Sequence, residues 1–315
     1  MLSTFGAVFF MSTVNQTYWL LLTPIFWLIA TGCLRKIQVT YAHHAVHNCL
    51  FLSKNIINSL SLYLFTVIPI VQNGKDYKVD HLNHHDGVLF TTKHDSDAAF
   101  LRKIGFVSGL SVGYYKKLLF KTIFSPRFHL YFIRLRCKSF FIRGSWIESF
   151  GACVWFFILL APFKLHPVYA TIFIFVPYFL LYNISSLLQF LTEHAWLKTI
   201  DAPSNSQEYA QRCWGRFLGE KYPIGQNTYS KIKWWFRMIF IHAPCRVAIL
   251  CGDLPVHDWH HLAGEVGQSS IFWQKSIYLR EDAIKGQGKH LAERELWGLR
   301  DMIENSFHSL SHGRG

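Results

Sequence analysis

Acidic side chains are scarce in this chain of 315 residues, where 19 Asp and Glu are set against 32 Lys and Arg. Charge of either sign is thin, at 16% of residues, and between Met1 and Leu34 there is none at all. Hydrophobic residues make up 51% and aromatics 17%, which is too apolar for an ordinary soluble domain and implies a membrane as solvent. A net charge of +13 would suit nucleic acid, but the basic residues are interleaved with Phe, Leu, Ile and Tyr between long apolar runs. That mixture reads as contacts to a membrane surface and to an electron donor. The seven cysteines (33, 49, 137, 153, 213, 245 and 251) are odd in number, scattered and without a C-x-x-C pair. They exclude a disulfide framework, fit a reduced, cytoplasm-facing protein, and none reads as a metal ligand. No H-E-x-x-H is present, so a zinc protease is unsupported, and the paired E-x-x-H of soluble di-iron bundles is missing too. Low-complexity tracts are absent, and nothing repeats except clusters of histidine.

Histidine is abundant, with 17 in all, and it is patterned. His43-His-Ala-Val-His47, His81-Leu-Asn-His84-His85 and His257-Asp-Trp-His260-His261 each place imidazoles at i, i+3 and i+4 spacings, which on a helix share one face. Three such groups are how a metal cage is assembled. Neutral imidazole suits iron, copper, zinc and nickel alike, so ligand type alone does not choose the metal. Eight histidines exceed the needs of one tetrahedral zinc and point to two ions.

The fold expected is an all-α integral membrane protein: a small transmembrane helix bundle of three to four spans, plus interfacial helices, under a cytoplasmic cap that carries the metal site. Residues 17–34 are long enough to cross the hydrocarbon once, and Arg35 and Lys36 place their end at the cytoplasmic face. A basic region ahead of the run is lacking, so no cleaved signal is expected. The apolar stretch 49–71 includes Lys54, Asn55 and Asn58. A metal site shared by the first two clusters requires an even number of crossings between them, so this stretch is read as a re-entrant or interfacial helix. Between residues 93 and 143, eleven Lys and Arg among bulky apolar residues suit helices lying in the interface. Residues 145–163 and 167–191 form a transmembrane hairpin around Lys164 to His166, which returns the third cluster to the face of the first two. Trp234 to Cys251 is shorter than a comfortable span and contains Arg237, His242 and Arg246, so it is expected to lie near the surface and feed the third cluster. Residues 1–265 are taken as the membrane domain and 266–315 as a cytoplasmic tail. In that tail Leu296, Leu299, Ile303 and Phe307 make a helical stripe that packs on the cap.

The three clusters, their spacing and the apolar hairpin before the third resemble the histidine boxes of the membrane fatty acid desaturases and their hydroxylase relatives, over roughly residues 17–265. The resemblance implies a non-haem di-iron centre on the cytoplasmic face of a four-helix membrane bundle, with O2 as co-substrate. It assigns iron-ligand roles to His43, His47, His81, His84, His85, His257, His260 and His261, and His194 stands where the family often has one further histidine. His44 lies off the ligand face and is read as a supporting residue. Asp80, Asp86, Glu193 and Asp258 adjoin the boxes and are candidates to accept the spare ring N–H of ligating histidines. His94, His129, His166, His242, His290, His308 and His312 stand alone and are read as structural. The expected reaction is removal of hydrogen from an unactivated C–H bond of a lipid alkyl chain, most simply acyl desaturation. Hydroxylation, ketolation and oxidative decarboxylation on the same scaffold are the alternatives, and a non-enzymatic metal-binding membrane protein is the third reading. No His-Pro-Gly-Gly, flavin or dinucleotide fingerprint is present, so electrons must come from a separate carrier of the ferredoxin, rubredoxin or cytochrome b5 type, docking on the basic loops 102–143.

Overall fold

The computed structural model describes residues 2–13, 17–51, 54–196, 202–262, 273–286 and 289–313. Regular structure is almost entirely helical. In chain order the elements are α1 Leu2–Thr13, α2 Leu20–Val46, α3 Asn55–Val67, α4 Gly74–His85, α5 Ser96–Lys103, α6 Val112–Ile123, α7 Pro126–Lys138 and α8 Trp146–Leu165. They continue with α9 Pro167–Glu193, α10 Ser206–Gln211, β1 Gly215–Phe217, α11 Thr228–Arg237, α12 His257–Leu262, α13 Ser276–Gly286, α14 Lys289–Ala292, β2 Glu295–Trp297 and α15 Leu299–His312. The chain divides into two compact units, each drawn from two separate stretches: residues 1–78 with 125–186, and residues 79–124 with 187–315.

The first unit contains most of the apolar helix. Among the described residues three helices, α2, α8 and α9, are long and apolar enough to cross a membrane. At about 1.5 Å per residue, the 20 residues of α8 span roughly the 30 Å of a hydrocarbon core. Ser145 and Glu148 start α8 with a reciprocal capping box, and Glu148 also accepts from the amide of Gly74 at 2.7 Å. The 13 residues of α3 reach only about 20 Å, short of a crossing. Buried Asn58 ties that helix to the preceding loop through Asn48, Phe51 and Lys54 carbonyls.

Two features of this unit differ from the sequence reading. The first span does not stop at Leu34 but continues through a π-helical stretch, Ile37–Ala42, into the first histidine cluster. Arg35 does not flank the span as a surface charge: it is 1% exposed and donates to Ser186 Oγ at 2.8 Å, over the ring of Tyr182. In α9 the residues Thr171–Leu181 are also π-helical around Pro177. A π turn bonds N–H(i) to the carbonyl of i−5, and proline has no N–H, so the Ile172 carbonyl loses its donor. The indole of Trp27 supplies one, at 2.7 Å.

The second unit carries the later histidines. Phe106, Tyr115 and Phe307 stack in its interior, where α15 packs on α6, and Lys116 pairs with Glu304 beside them at 2.6 Å. The C-terminal segment is not one striped helix. It turns at Lys289–Ala292, forms a strand paired in parallel with Gly215–Phe217, and restarts at Gly298, whose φ of 91° suits glycine. The buried face of α15 is Met302, Ser306, Phe307 and Leu310, so of the expected stripe only Phe307 is fully inside. The expected boundary at residue 265 lies outside the described residues. Helix α11 runs on through Ala248, with Ile232, Phe236 and Phe240 exposed.

Candidate metal centre

Four imidazoles of the second unit meet in its interior. His84 comes from the last turn of α4, His194 from the residue after α9, and His257 and His261 from the two ends of one turn of α12. Nε2 of His84 lies 3.2 Å from Nε2 of His194, and Nε2 of His261 lies 3.0 Å from Nε2 of His257. Ligand atoms from all four rings fall within 4.8 Å of one another, and all four residues are buried. Phe90, fully buried, packs against His84, His194 and His261 with ring centroids 4.7 to 5.4 Å away. Trp196 closes a further side.

The far sides of the rings are held. His84 donates through Nδ1 to Asp95 at 2.8 Å. Asp95 in turn caps α5 by accepting from the amide of Asp97, and accepts the amide of Thr91. Its oxygens are thereby committed to orienting the ring. The Nδ1 of His261 meets the Tyr209 hydroxyl at 2.9 Å. Pinning Nδ1 leaves Nε2 of His84 with its lone pair pointing inward, which is the tautomer a metal requires.

Electrostatics point the same way for three of the four rings. Burial pushes His194, His257 and His261 down from the usual imidazole range, which favours the neutral, ligating form. Burial would lower His84 as well, but the Asp95 carboxylate outweighs it and pushes this ring up to about 9. Nitrogens 3 Å apart with inward lone pairs repel unless a cation lies between them, so the donor set fits a metal ion. Burial drives the Cys213 thiol in the opposite sense, upward, and keeps it protonated although its backbone bridges to His194.

Beside this group, His81, His85 and His260 form a second convergence. Nε2 of His85 lies 3.2 Å from Nε2 of His81 and 3.1 Å from Nε2 of His260, and the His85 ring stacks on His261 at 4.2 Å. His43 and His47 belong to the first unit, at the end of α2, with ring centroids 5.2 Å apart. His44 is buried next to His43, its Nδ1 3.5 Å from the sulfur of Cys49.

The carboxylates expected near the boxes diverge in use. Glu193 reaches His257 Nε2 at 3.1 Å. Asp258 turns away from the rings: both its oxygens accept from Arg280, whose own side chain is 3% exposed. Asp86 caps the turn after α4 by accepting the amide of Val88. Asp80 lies on α4, half-buried. Among the described residues, none of His94, His129, His166, His242, His290, His308 or His312 joins a group with metal-ligand spacing. His242 pairs with Glu220 at 3.0 Å, for example.

Sequence reasoning missed Asp95, Tyr209, Arg216 and Arg280. The last two set the third box in place. Buried Arg216 donates to the Leu254 carbonyl at 3.0 Å and to Thr192 Oγ1 at 3.3 Å, joining the segment before α12 to the end of α9. Arg280 anchors Asp258 and Glu295 together. Gly215 is needed beside it, because a Cβ there would meet Arg280 Nη2 at 2.7 Å.

The family model for fatty acid desaturase matches residues 17–265, from the first candidate span to beyond the last histidine cluster. No curated protein and no solved structure matches the chain. A match over most of the chain, with histidine groups that could hold metal and helices able to span a bilayer, leaves one assignment: the chain belongs to the fatty acid desaturase family, a membrane-bound family of lipid-modifying oxidoreductases.

Proposed function

We propose that this protein is an O2-dependent, non-haem di-iron fatty acyl desaturase. The observation that carries the reading is the meeting of four buried inward-facing imidazoles from α4, the end of α9 and α12, in a chain of this family. His84, His194, His257 and His261 would hold one iron. His81, His85 and His260 would contribute to holding the other. Bound iron would supply the activation of dioxygen that an unactivated C–H bond demands. The reaction balances as –CH2–CH2– plus O2, two electrons and two protons giving –CH=CH– and two waters.

The chain's own residues prepare that chemistry. Asp95 and Tyr209 orient two of the rings, and Phe90 and Trp196 exclude water from their neighbourhood, which strengthens every polar interaction inside. The apolar helices supply a lipid-facing setting for the acyl chain. The active site is assigned to the cytoplasmic face, and electrons to a ferredoxin, rubredoxin or cytochrome b5 type carrier that docks on the basic residues of 102–143.

Mass spectrometry of lipids from a host with and without the chain tests this directly. A product lighter by two hydrogens is expected, lost in His84→Ala and His260→Ala. A product carrying label from 18O2 would instead identify a hydroxylase, and unchanged lipids with active electron donor present would end the enzyme reading.

A further inference from the structure

We propose that Glu193 is itself a metal ligand, giving the position formed by His84, His194, His257 and His261 a carboxylate oxygen as a fifth donor. The inference rests on the reading of those four imidazoles as a metal site, and goes beyond it by making the donor set mixed. Glu193 ends α9 directly before His194 and is 5% exposed. Its Oε1 lies 3.1 Å from Nε2 of His257, the same nitrogen that faces Nε2 of His261 at 3.0 Å.

One ring nitrogen cannot serve two masters. It carries either a proton to donate to a carboxylate or a lone pair to give to a metal. If His257 ligates through Nε2, the neighbouring oxygen is no longer a hydrogen-bond acceptor for it. With metal–ligand bonds of about 2.1 Å, adjacent donors stand about 3.0 Å apart in an octahedron and about 3.4 Å apart in a tetrahedron. The two spacings at His257 Nε2, 3.0 and 3.1 Å, match the octahedral value, and the 3.2 Å between His84 and His194 falls midway between the two. Oε1 therefore stands at ligand spacing from His257, and a small rotation of its side chain is all that joining the other three rings would ask.

The rest of the side chain is arranged to keep it there. Gln189, one turn earlier on α9, donates to the other oxygen, Oε2, at 2.7 Å. Arg216 stands 3.8 Å from Oε1, close enough to favour the carboxylate form without occupying the bonding position. A single hard anionic donor among imidazoles favours iron or manganese over copper, and lowers the net charge of the metal centre. It would also stabilise the more oxidised ion relative to an all-imidazole site.

The test uses the full-length protein in detergent, loaded with Fe(II) or Co(II), as wild type, Glu193→Gln, Glu193→Asp and His257→Ala. Metal per chain is measured against graded chelator, and the Co(II) visible spectrum is recorded. Glu193→Gln preserves shape while removing the anionic donor. It is expected to lose metal from this position with at least a 100-fold drop in affinity, and the Co(II) bands of the metal it retains are expected to intensify as the coordination number falls. Glu193→Asp recovers part of both, and so separates donor loss from misfolding. Weaker binding with an unaltered Co(II) spectrum would make Glu193 a positioning residue and overturn the proposal, as would full affinity in Glu193→Gln. Wild-type protein that binds no metal would sink the metal reading itself, a distinct result.

Discussion

Individual side chains around the imidazoles divide into those that face inward and those that hold the far edge of a ring. Asp95 belongs to the second kind, and carboxylates of this type typically contribute 10- to 100-fold to metal affinity. Asp95→Asn is accordingly expected to weaken metal binding by about that factor, read by chelator competition, with helix content unchanged. Arg280 presents a different case. Removing it leaves the Asp258 carboxylate buried without a partner, and breaking a buried pair from one side costs about 3–5 kcal/mol. Arg280→Met should lower the unfolding midpoint in detergent by more than Asp258→Asn combined with Arg280→Met, where no charge is stranded; equal losses would refute the account. The clustered histidines were legible because their i, i+3 and i+4 spacing is written locally in the chain. Asp95, Tyr209 and Arg280 were not, since their partners lie 11, 52 and 22 residues away and are chosen by tertiary packing.

At the level of helices, α2 and α9 are joined by an irregularity that each tolerates because of the other. Pro177 removes the donor to the Ile172 carbonyl and Trp27 restores one. Leaving a buried carbonyl unpaired costs about 1–3 kcal/mol. Trp27→Phe should cost that much in the wild-type background and clearly less in Pro177→Ala, where a backbone N–H returns. A double-mutant cycle on thermal stability measures the difference, and additive effects would show the two positions to be independent. Long apolar helices announce themselves in composition, so the hairpin 145–163 and 167–191 falls within two residues of Trp146–Leu165 and Pro167–Glu193. The three-residue strands do not, because Gly215–Phe217 and Glu295–Trp297 are too short to carry a period, and the strand at 295–297 shifted the expected stripe of α15. Likewise the burial of Arg35 was invisible: a charge after an apolar run looks the same whether it faces headgroups or the hydroxyl of Ser186.

For the molecule as a whole, metal is expected to act as a stabilising ligand. Anything that binds only the folded state adds RT ln(1 + [L]/Kd), about 2.7 kcal/mol when the ion is about 100-fold above its Kd. Chelation should lower the unfolding midpoint, re-addition of iron should restore it, and His84→Ala should show no such response. An identical midpoint with and without metal in wild type would contradict a site made of His84, His194, His257 and His261.

The second unit is assembled from stretches that leave the ribosome far apart in time. His84 meets His194, 110 positions further along the chain, which at about 5–20 residues per second amounts to roughly five to twenty seconds of synthesis. His257 and His261 emerge later still. Throughout that interval the early imidazoles stand exposed without their counterparts, open to whatever cations the cell offers, so no complete cradle exists for an ion to enter during translation. If these imidazoles hold an ion as proposed, its insertion would be a late event, and shortage of it would yield chains that are fully made yet inert.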